Sequence, residues 1–248
     1  MGRVESYRQK LASLDEWDSY LQAESHLPGP RANLELSAAY AELADPETIW
    51  QHAEIDADEA PENTPESFLA VCGTRALGRL VLGGDRRAEA KLRTAASDTR
   101  WRCREAVAMA LQTIGEEAPE RLVSMVAEWS GGNRYEQRAA VAAICEPALL
   151  RVQATIEQAL EVLNTISASI KGANDRRHDD FRTLRKTLGY GWSVVIAANP
   201  EEGKLAFERW VDVEDPDIRW MVRRNLGKAR LRRMDEEWVE SLLKRTAS

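Results

Sequence analysis

A stretch of sequence that occurs twice limits the fold of this chain more than any single motif does. Residues 97–111 read SDTRWRCREAVAMAL, and residues 216–230 read PDIRWMVRRNLGKAR. The shared positions are an Asp, an Arg-Trp pair and a second Arg, which are Asp98, Arg100, Trp101 and Arg104 in the first copy and Asp217, Arg219, Trp220 and Arg223 in the second. This self-similarity predicts a fold assembled from similar units.

Two weaker copies lie between these stretches. The segment DDFRTLRKTLG begins at Asp179 and again places an arginine, Arg185, six residues after an aspartate. The segment GNRYEQRAAVAAI keeps Arg138 but has Gly132 where the others have Asp. The second arginines of the four copies are therefore 34, 47 and 38 residues apart. Periods of about 20 to 50 residues are typical of repeat architectures.

The chain around the repeats predicts helices throughout. Apolar residues recur at helical spacing, for example at Cys103, Ala106, Val107 and Ala110. Pro follows a residue that can cap a helix in four places, namely Asp45-Pro46, Thr64-Pro65, Asn199-Pro200 and Asp215-Pro216. We predict helices over residues 16–25, 31–43, 46–54, 65–81, 85–96, 99–114, 119–129, 134–148, 152–170, 177–197, 201–211, 216–231 and 235–246.

An Asp, an Arg and a run of Ala and Leu that recur in an all-helical chain resemble the HEAT-repeat family. The resemblance implies an all-α fold, a right-handed α-solenoid of about six stacked antiparallel helix pairs with a C-terminal capping helix. It is clear over residues 85–231. We expect residues 1–84 to form an N-terminal helical cap, and residues 1–248 to form a single domain.

The resemblance also implies roles for the repeated residues. The second helix of each pair would line a concave inner wall, and the Asp and Arg of neighbouring repeats would bond as a ladder. The implied ladder residues are Asp98, Arg104, Arg138, Asp179, Arg185 and Asp217. The implied inner helices are those predicted over residues 99–114, 134–148, 177–197 and 216–231.

The charge distribution predicts a basic groove on this inner wall. The net charge of −7 argues against a protein that binds nucleic acid through a surface covered in basic charge. The inner helices nevertheless carry fourteen basic residues against six acidic ones, and the outer helices carry three against seven. The candidate partner-binding residues of the groove are Arg100, Trp101, Arg102, Arg182, Lys186, Arg219, Trp220, Arg223, Arg224 and Lys228.

The same residues also fit a purely structural interpretation. The arginines can be ladder residues or can solvate exposed helix faces. Trp101 and Trp220 recur with the repeat, as packing residues do, although a Trp beside an Arg can also stack on a base or a methylated cation. The sequence leaves both interpretations open.

Motifs for catalysis or for a cofactor are missing from the sequence. His26, His52 and His178 lack the helical spacing of a metal site. Gly73 and Gly78 have the spacing of a phosphate loop, but no strand precedes them and no Lys follows, so we interpret them as helix-packing glycines. The three cysteines, Cys72, Cys103 and Cys145, lie far apart and predict buried thiols. We expect no catalytic residues, no cofactor and no metal.

Two functions remain as hypotheses. The first is a non-enzymatic HEAT-repeat scaffold or adaptor, cytoplasmic and without a membrane segment, whose basic concave groove holds an acidic protein partner. The alternative is a HEAT-like DNA-binding protein or a DNA glycosylase that excises alkylated bases. Some HEAT-like proteins excise alkylated bases. If this chain resembles them in function, Trp101, Trp220 and either Asp98 or Asp217 would stabilise the cationic base.

Overall fold

A computed structural model of the chain describes residues 2–246. Over these residues the chain forms α-helices and no strand, which confirms the all-α prediction. The helices are α1 (Arg3–Ala12), α2 (Asp18–Ala23), α3 (Leu34–Leu43), α4 (Pro46–Glu54), α5 (Ser67–Leu82), α6 (Arg86–Ala95), α7 (Trp101–Glu117), α8 (Pro119–Ser130), α9 (Arg134–Ile144), α10 (Gln153–Ile170), α11 (Asp179–Ala198), α12 (Pro200–Glu208), α13 (Pro216–Leu226), α14 (Ala229–Met234) and α15 (Glu236–Arg245).

Three of the four predicted helix starts have the expected capping side chain, whereas α5 begins at Ser67, after Thr64-Pro65, without a side-chain cap. The Asp45 carboxylate accepts hydrogen bonds from the backbone amides of Glu47 and Thr48, at 2.9 and 3.0 Å. Asn199 caps α12 and Asp215 caps α13 in the same manner, each directly before a Pro. These side chains satisfy amide groups that the first helical turn leaves without a partner.

The predicted helices differ from the observed ones most clearly in three places. Helix α1 was not predicted, because its sequence is mostly polar and Leu11 is its one buried side chain. The helix predicted over residues 134–148 ends at Ile144. The helix predicted over residues 216–231 is divided into α13 and α14, since Gly227 ends α13 with its amide bonded to the carbonyl oxygen of Arg223.

The chain divides into two compact units, of which unit 1 ends at Glu117 and unit 2 begins at Ala118. In unit 1, helices α1, α3, α5 and α7 pack against one another in succession, while α4 and α6 pack against α5. Phe68, Leu77 and Leu92 are fully buried in this unit. Burial of such side chains is the main favourable contribution to folding.

Two glycines of α5 allow its neighbours in unit 1 to approach closely. A Cβ atom at Gly73 would lie 2.3 Å from the backbone nitrogen of Ala53 in α4. A Cβ atom at Gly78 would lie 2.7 Å from the carbonyl oxygen of Ala110 in α7. Both contacts are with backbone atoms, so the helices would have to move apart. The prediction that these glycines pack helices is confirmed.

Unit 2 has a similar succession. Helices α9, α11 and α13 pack in sequence, α8 and α12 contact α10, and α15 packs on α13 and α14. Trp129, Trp192 and Phe207 are fully buried there. The indole of Trp192 donates a hydrogen bond to Ser167 Oγ at 3.0 Å, which satisfies its polar atom inside the core.

The three cysteines are buried free thiols, as predicted. Burial raises the pKa of the Cys103 thiol to about 12, so this group stays protonated at neutral pH. Between residues 2 and 246, no helix has the length and apolar composition that crossing a bilayer requires.

Candidate functional site

A groove of about 620 Å³ runs along α13 in unit 2. We call it the α13 groove. Its lining residues come from α11, from the segment that precedes α13 and from α13 itself, and they are Arg185, Glu214, Asp215, Pro216, Arg219, Trp220, Arg223 and Arg224.

The periodicity of α13 explains why its polar residues share one side. Arg219 and Arg223 are one helical turn apart, as are Trp220 and Arg224, so the four residues form one stripe. The opposite side of the helix carries the residues that are buried in unit 2, which include Ile218, Met221, Val222 and Leu226. Burial of the apolar stripe therefore fixes the direction in which the arginines point.

Two of the lining residues, Arg185 and Asp215, belong to a cluster of two arginines and two aspartates. Arg176 places Nη2 2.6 Å from Asp215 Oδ2 and Nη1 2.5 Å from Asp217 Oδ2. Arg185 Nε lies 2.7 Å from Asp217 Oδ1. The two aspartate side chains are almost fully buried, at 8% and 10% exposure. The cluster is neutral as a whole, because two guanidinium groups face two carboxylates.

The contacts of Asp215 alter its acidity. Burial raises the pKa of this carboxyl, but hydrogen bonds from Arg176 and from the backbone amides of Ile218, Gly172 and Asp217 outweigh the burial. The net result is a pKa well below the ordinary value for an aspartate. Asp215 is therefore an ionised capping residue at neutral pH.

The Trp220 ring packs against α11, between two arginine side chains and a glycine. The Arg185 guanidinium lies over the ring, with Cζ 4.1 Å from the ring centroid, and Arg224 lies at 5.7 Å. A Cβ atom at Gly189 would come within 2.8 Å of Trp220 Cζ3, so the ring occupies the space that this glycine leaves. Trp220 is thus a half-buried packing residue that supports the arginines around it.

The arginines of α13 carry charge that no carboxylate of the described residues neutralises. Arg219, Arg223 and Arg224 are exposed, and within residues 2–246 none of them forms an ion pair. Arg223 uses one donor, since its Nη2 bonds to the carbonyl oxygen of Thr246 at 2.5 Å.

The pKa of Lys228, just beyond α13, reflects the same excess of positive charge. Its burial, together with the charges of Arg224 and Arg230, lowers the pKa of its ammonium group. Like charges close together disfavour the charged form of each group. The C-terminal end of α13 is therefore a region of positive potential.

Only part of the predicted partner-binding set lies in this groove. Arg219, Trp220, Arg223 and Arg224 line it together with Arg185, which was predicted as a ladder residue. Arg182 and Lys186 are exposed on α11, and Lys228 is half-buried, but these three do not line the groove.

The sequence predicted that Arg100 and Arg102 contact a partner. Both lie in unit 1 and are buried, at 4% and 6% exposure, so they do not form part of an exposed binding surface. Arg100 binds both carboxylate oxygens of Asp98, at 3.0 and 2.8 Å. Arg102 pairs with Glu62 and donates to the carbonyl oxygen of Gly29 at 2.5 Å. These guanidinium groups hold neighbouring segments of unit 1 together.

Arg100 also donates to three backbone carbonyl oxygens of a preceding segment, which are those of Ile55, Asp56 and Ala60, at 2.9, 2.9 and 3.2 Å. Trp101, between the two buried arginines, is 45% exposed and lies under Arg102, with Cζ 4.4 Å from its ring centroid. It borders a pocket of about 200 Å³ in unit 1.

The residues that the resemblance assigned to a ladder differ in what they contact. Arg185 of α11 and Asp217 of α13 join successive helices of unit 2, in the manner that the resemblance implied. In unit 1, Arg104 instead donates to the backbone carbonyl oxygens of Asp98 and Thr99, at 2.6 and 3.0 Å. The side chain of Asp98 is occupied by Arg100, so Asp98 and Arg104 are not a side-chain ion pair.

At the step from α9 to α11, polar side chains that flank Arg138 and Asp179 contact each other. Arg134 pairs with Asp180 at 3.2 Å, and the Tyr135 hydroxyl donates to Asp179 at 3.3 Å. Arg138 is buried in α9, at 6% exposure.

Arg176 is the site residue that the sequence did not indicate. It lies in the segment between α10 and α11, outside any repeat, and its role appears only where the chain brings it to Asp215 and Asp217. The adjacent charges in DRRHDD resemble an ordinary solvated turn, so no periodic signal distinguishes this arginine.

The carboxylates that a glycosylase would require are occupied. Asp98 is bound by Arg100, and Asp217 is bound by Arg176 and Arg185. His178 is 72% exposed and contacts Asp175. In the part of the chain that the structure describes, no group of three or more His, Cys, Asp or Glu side chains is arranged to hold a metal ion. The geometry therefore gives no specific support to the DNA-repair alternative.

Comparison of the chain with protein-family models, with curated proteins and with solved structures gives no match. The α13 groove thus has to be interpreted from its own chemistry.

Proposed function

We propose that this chain is a non-enzymatic binding scaffold of HEAT-repeat type, and that its α13 groove holds an acidic segment of a partner protein. The observation that carries the proposal is the set of three exposed arginines, Arg219, Arg223 and Arg224, without ion pairs among the described residues. Such charges attract an anionic partner over long range and speed its association.

The helix packing within unit 2 supports the scaffold part of the proposal. Helices α9, α11 and α13 follow one another, and Arg185 and Asp217 link the last two of them. In a repeat protein each helix pair covers the apolar face of the next one. A right-handed solenoid of such pairs, working in the cytoplasm with its thiols reduced, is the form that we propose for the chain.

An acidic protein fits the groove better than a nucleic acid does. Arg185 covers a face of Trp220 and is itself held by Asp217, so a base cannot stack on that face without breaking an ion pair. Base stacking on aromatic side chains is a main source of affinity for single strands. The net charge of −7 also repels a polyanion outside the groove.

Charge reversal in the groove tests this proposal. The probe is a fluorescently labelled oligoglutamate peptide, whose binding to the full chain is followed by fluorescence anisotropy. The double variant Arg219→Glu and Arg224→Glu should bind at least about tenfold more weakly, since close like charges at an interface cost several kcal/mol. Both side chains are exposed, so the variant should remain folded.

Arg182→Glu is the matched control, because Arg182 is exposed on α11 outside the groove. Its affinity for the peptide should stay within about twofold of the wild type, as expected for a charge at the rim of an interface. A loss of binding free energy in the control at least half as large as that in the double variant would show that net charge, and not the groove, determines binding, because the control reverses one charge and the double variant two. Unchanged binding in the double variant would refute the proposal.

A further inference from the structure

The α13 groove carries an excess of two positive charges. The cluster of Arg176, Arg185, Asp215 and Asp217 is neutral within itself. The remaining charged lining residues are three arginines of α13 and Glu214, which is exposed and within residues 2–246 forms no ion pair. A carboxylate side chain brings one negative charge, whereas a phosphate monoester brings about −1.5 to −2 at neutral pH. The charge of the groove thus matches a phosphate.

The spacing of two arginines suits a group with several oxygens. Arg219 and Arg223 are an i, i+4 pair, whose Cβ atoms are about 5–6 Å apart on a helix. Each guanidinium is a planar fork of five N–H donors that can bind a phosphate through two oxygens at once. Two such forks can hold opposite sides of one phosphate, which offers three acceptor oxygens.

Both side chains of this pair are exposed, and most of their donors are unused within residues 2–246. The side chain of Arg219 makes no hydrogen bond to any residue between 2 and 246, and that of Arg223 makes one, to Thr246. Like charges at i, i+4 destabilise a helix, and a dianion between them removes this repulsion. An anion therefore gains more at this pair than at an isolated arginine.

The size of the groove is suited to a side chain within a short peptide. Its volume of about 620 Å³ exceeds the space that one phosphoserine fills and falls in the range of ligand pockets. Arg224, with Cζ 5.7 Å from the Trp220 ring centroid, can pair with an acidic residue that neighbours the phosphate.

We propose that the α13 groove recognises a phosphorylated serine or threonine within an acidic segment of the partner, with the phosphate held between Arg219 and Arg223. This inference rests on the proposed function and makes it more specific. Phosphorylation of the partner would then control its binding to this chain.

Three matched peptides test the inference against the full chain. Each is a labelled peptide of Glu and Gly that differs at one central position, which is serine, glutamate or phosphoserine. We expect the phosphoserine peptide to bind about tenfold more tightly than the glutamate peptide, because charge-assisted bonds to a forked donor are the strong ones. The serine peptide should bind most weakly.

The variant Arg219→Lys separates the phosphate site from general electrostatics. It keeps the charge but removes the fork, so the preference for phosphoserine over glutamate should fall to about twofold, since the ammonium group binds a phosphate as a point charge. Binding of the glutamate peptide should stay near the wild-type value. Arg182→Lys is the matched control, which should keep the full preference.

The outcomes separate the two proposals. If the glutamate peptide binds and phosphoserine adds nothing, the phosphate inference fails and the acidic-partner proposal stands. If no peptide binds, both fail. If a labelled oligothymidine binds more tightly than the phosphoserine peptide, the groove is a nucleic-acid site and both are overturned. An Arg219→Lys variant that keeps the tenfold preference would also contradict the inference.

Discussion

The two copies of the Arg-Trp motif have opposite environments. In unit 1, Arg100 is 4% exposed and its side chain binds four other residues, whereas the side chain of its counterpart Arg219 in unit 2 is exposed and binds none of the described residues. The tryptophans differ in the opposite sense, since Trp101 is 45% exposed and Trp220 is half-buried. The same motif is structural in one unit and forms a surface in the other.

The difference originates in the partners of the preceding aspartate. Asp98 binds the arginine two residues after it, and the segment from Ile55 to Ala60 adds carbonyl acceptors. Asp217 is instead occupied by Arg176 and Arg185, which leaves Arg219 without a carboxylate partner within residues 2–246. A repeated sequence thus keeps its local structure, while distant residues determine what its side chains do.

The largest expected effect is a difference in stability between matched alanine variants. Arg100→Ala should lower the free energy of unfolding by about 3–5 kcal/mol, because it removes the ion-pair partner of the largely buried Asp98 carboxylate and the side-chain donor to three carbonyl groups. Arg219→Ala should change it by less than about 0.5 kcal/mol, as is usual for an exposed residue. Urea denaturation followed by circular dichroism measures both. Similar losses for the two variants would contradict the comparison.

The tryptophans should show the reverse order of effects. Trp220→Ala removes a ring that is packed on Gly189 and Arg185, and we expect a loss of about 2–3 kcal/mol, below that of a fully buried aromatic residue. Trp101→Ala should cost about 1 kcal/mol or less, since the ring is largely exposed and its stacking on Arg102 is weak in water. The same denaturation experiment decides, and a larger loss for Trp101→Ala would reverse this assignment.

The free energy of unfolding should depend on pH through Asp215, which lines the α13 groove. The pKa of Asp215 is lower in the folded protein than in the unfolded chain, so its ionised form stabilises the fold above the unfolded value of about 3.9. This contribution is lost as the pH falls through that value toward the folded pKa.

The variant Asp215→Asn keeps an oxygen that can cap α13 but removes the titrating group. Its free energy of unfolding should therefore decrease less than that of the wild type between about pH 6 and pH 3, where one titrating group changes the slope by up to about 1.4 kcal/mol per pH unit. Parallel curves for the two proteins would show that Asp215 does not stabilise the fold through its charge.

The smallest expected effect is a gain in stability. Arg219→Glu converts a repulsive i, i+4 pair with Arg223 into an attractive one, and should stabilise the protein by about 0.3–0.5 kcal/mol while it weakens peptide binding. Thermal unfolding at low salt would detect the change. Destabilisation by this variant would indicate that Arg219 has a structural partner.

Local signals in the sequence predicted the helices well. Asp45, Asn199 and Asp215 cap helices as expected, and the glycines of α5 pack against neighbouring backbones. The polar helix α1 was missed, because it offers no apolar periodicity of its own. Whether a segment forms a helix depends mainly on residues that are close in sequence, which is why the helices could be predicted.

The site could be predicted only in part. The stripe of Arg219, Trp220, Arg223 and Arg224 follows from helical periodicity within α13. The burial of Arg100 depends on carbonyl groups more than 35 residues away along the chain, and the role of Arg176 depends on an approach to Asp215 39 residues later. No local pattern carries information about such contacts.

The indole N–H groups of the two matched tryptophans offer the most direct test of where a partner binds. In the ¹⁵N-labelled chain, the resonances of Trp101 and Trp220 can be assigned with Trp→Phe variants and followed as the phosphoserine peptide is added. A site in the α13 groove predicts that the Trp220 resonance shifts in a saturable manner while the Trp101 resonance stays in place. A shift of Trp101 alone, with Trp220 unchanged, would contradict the account.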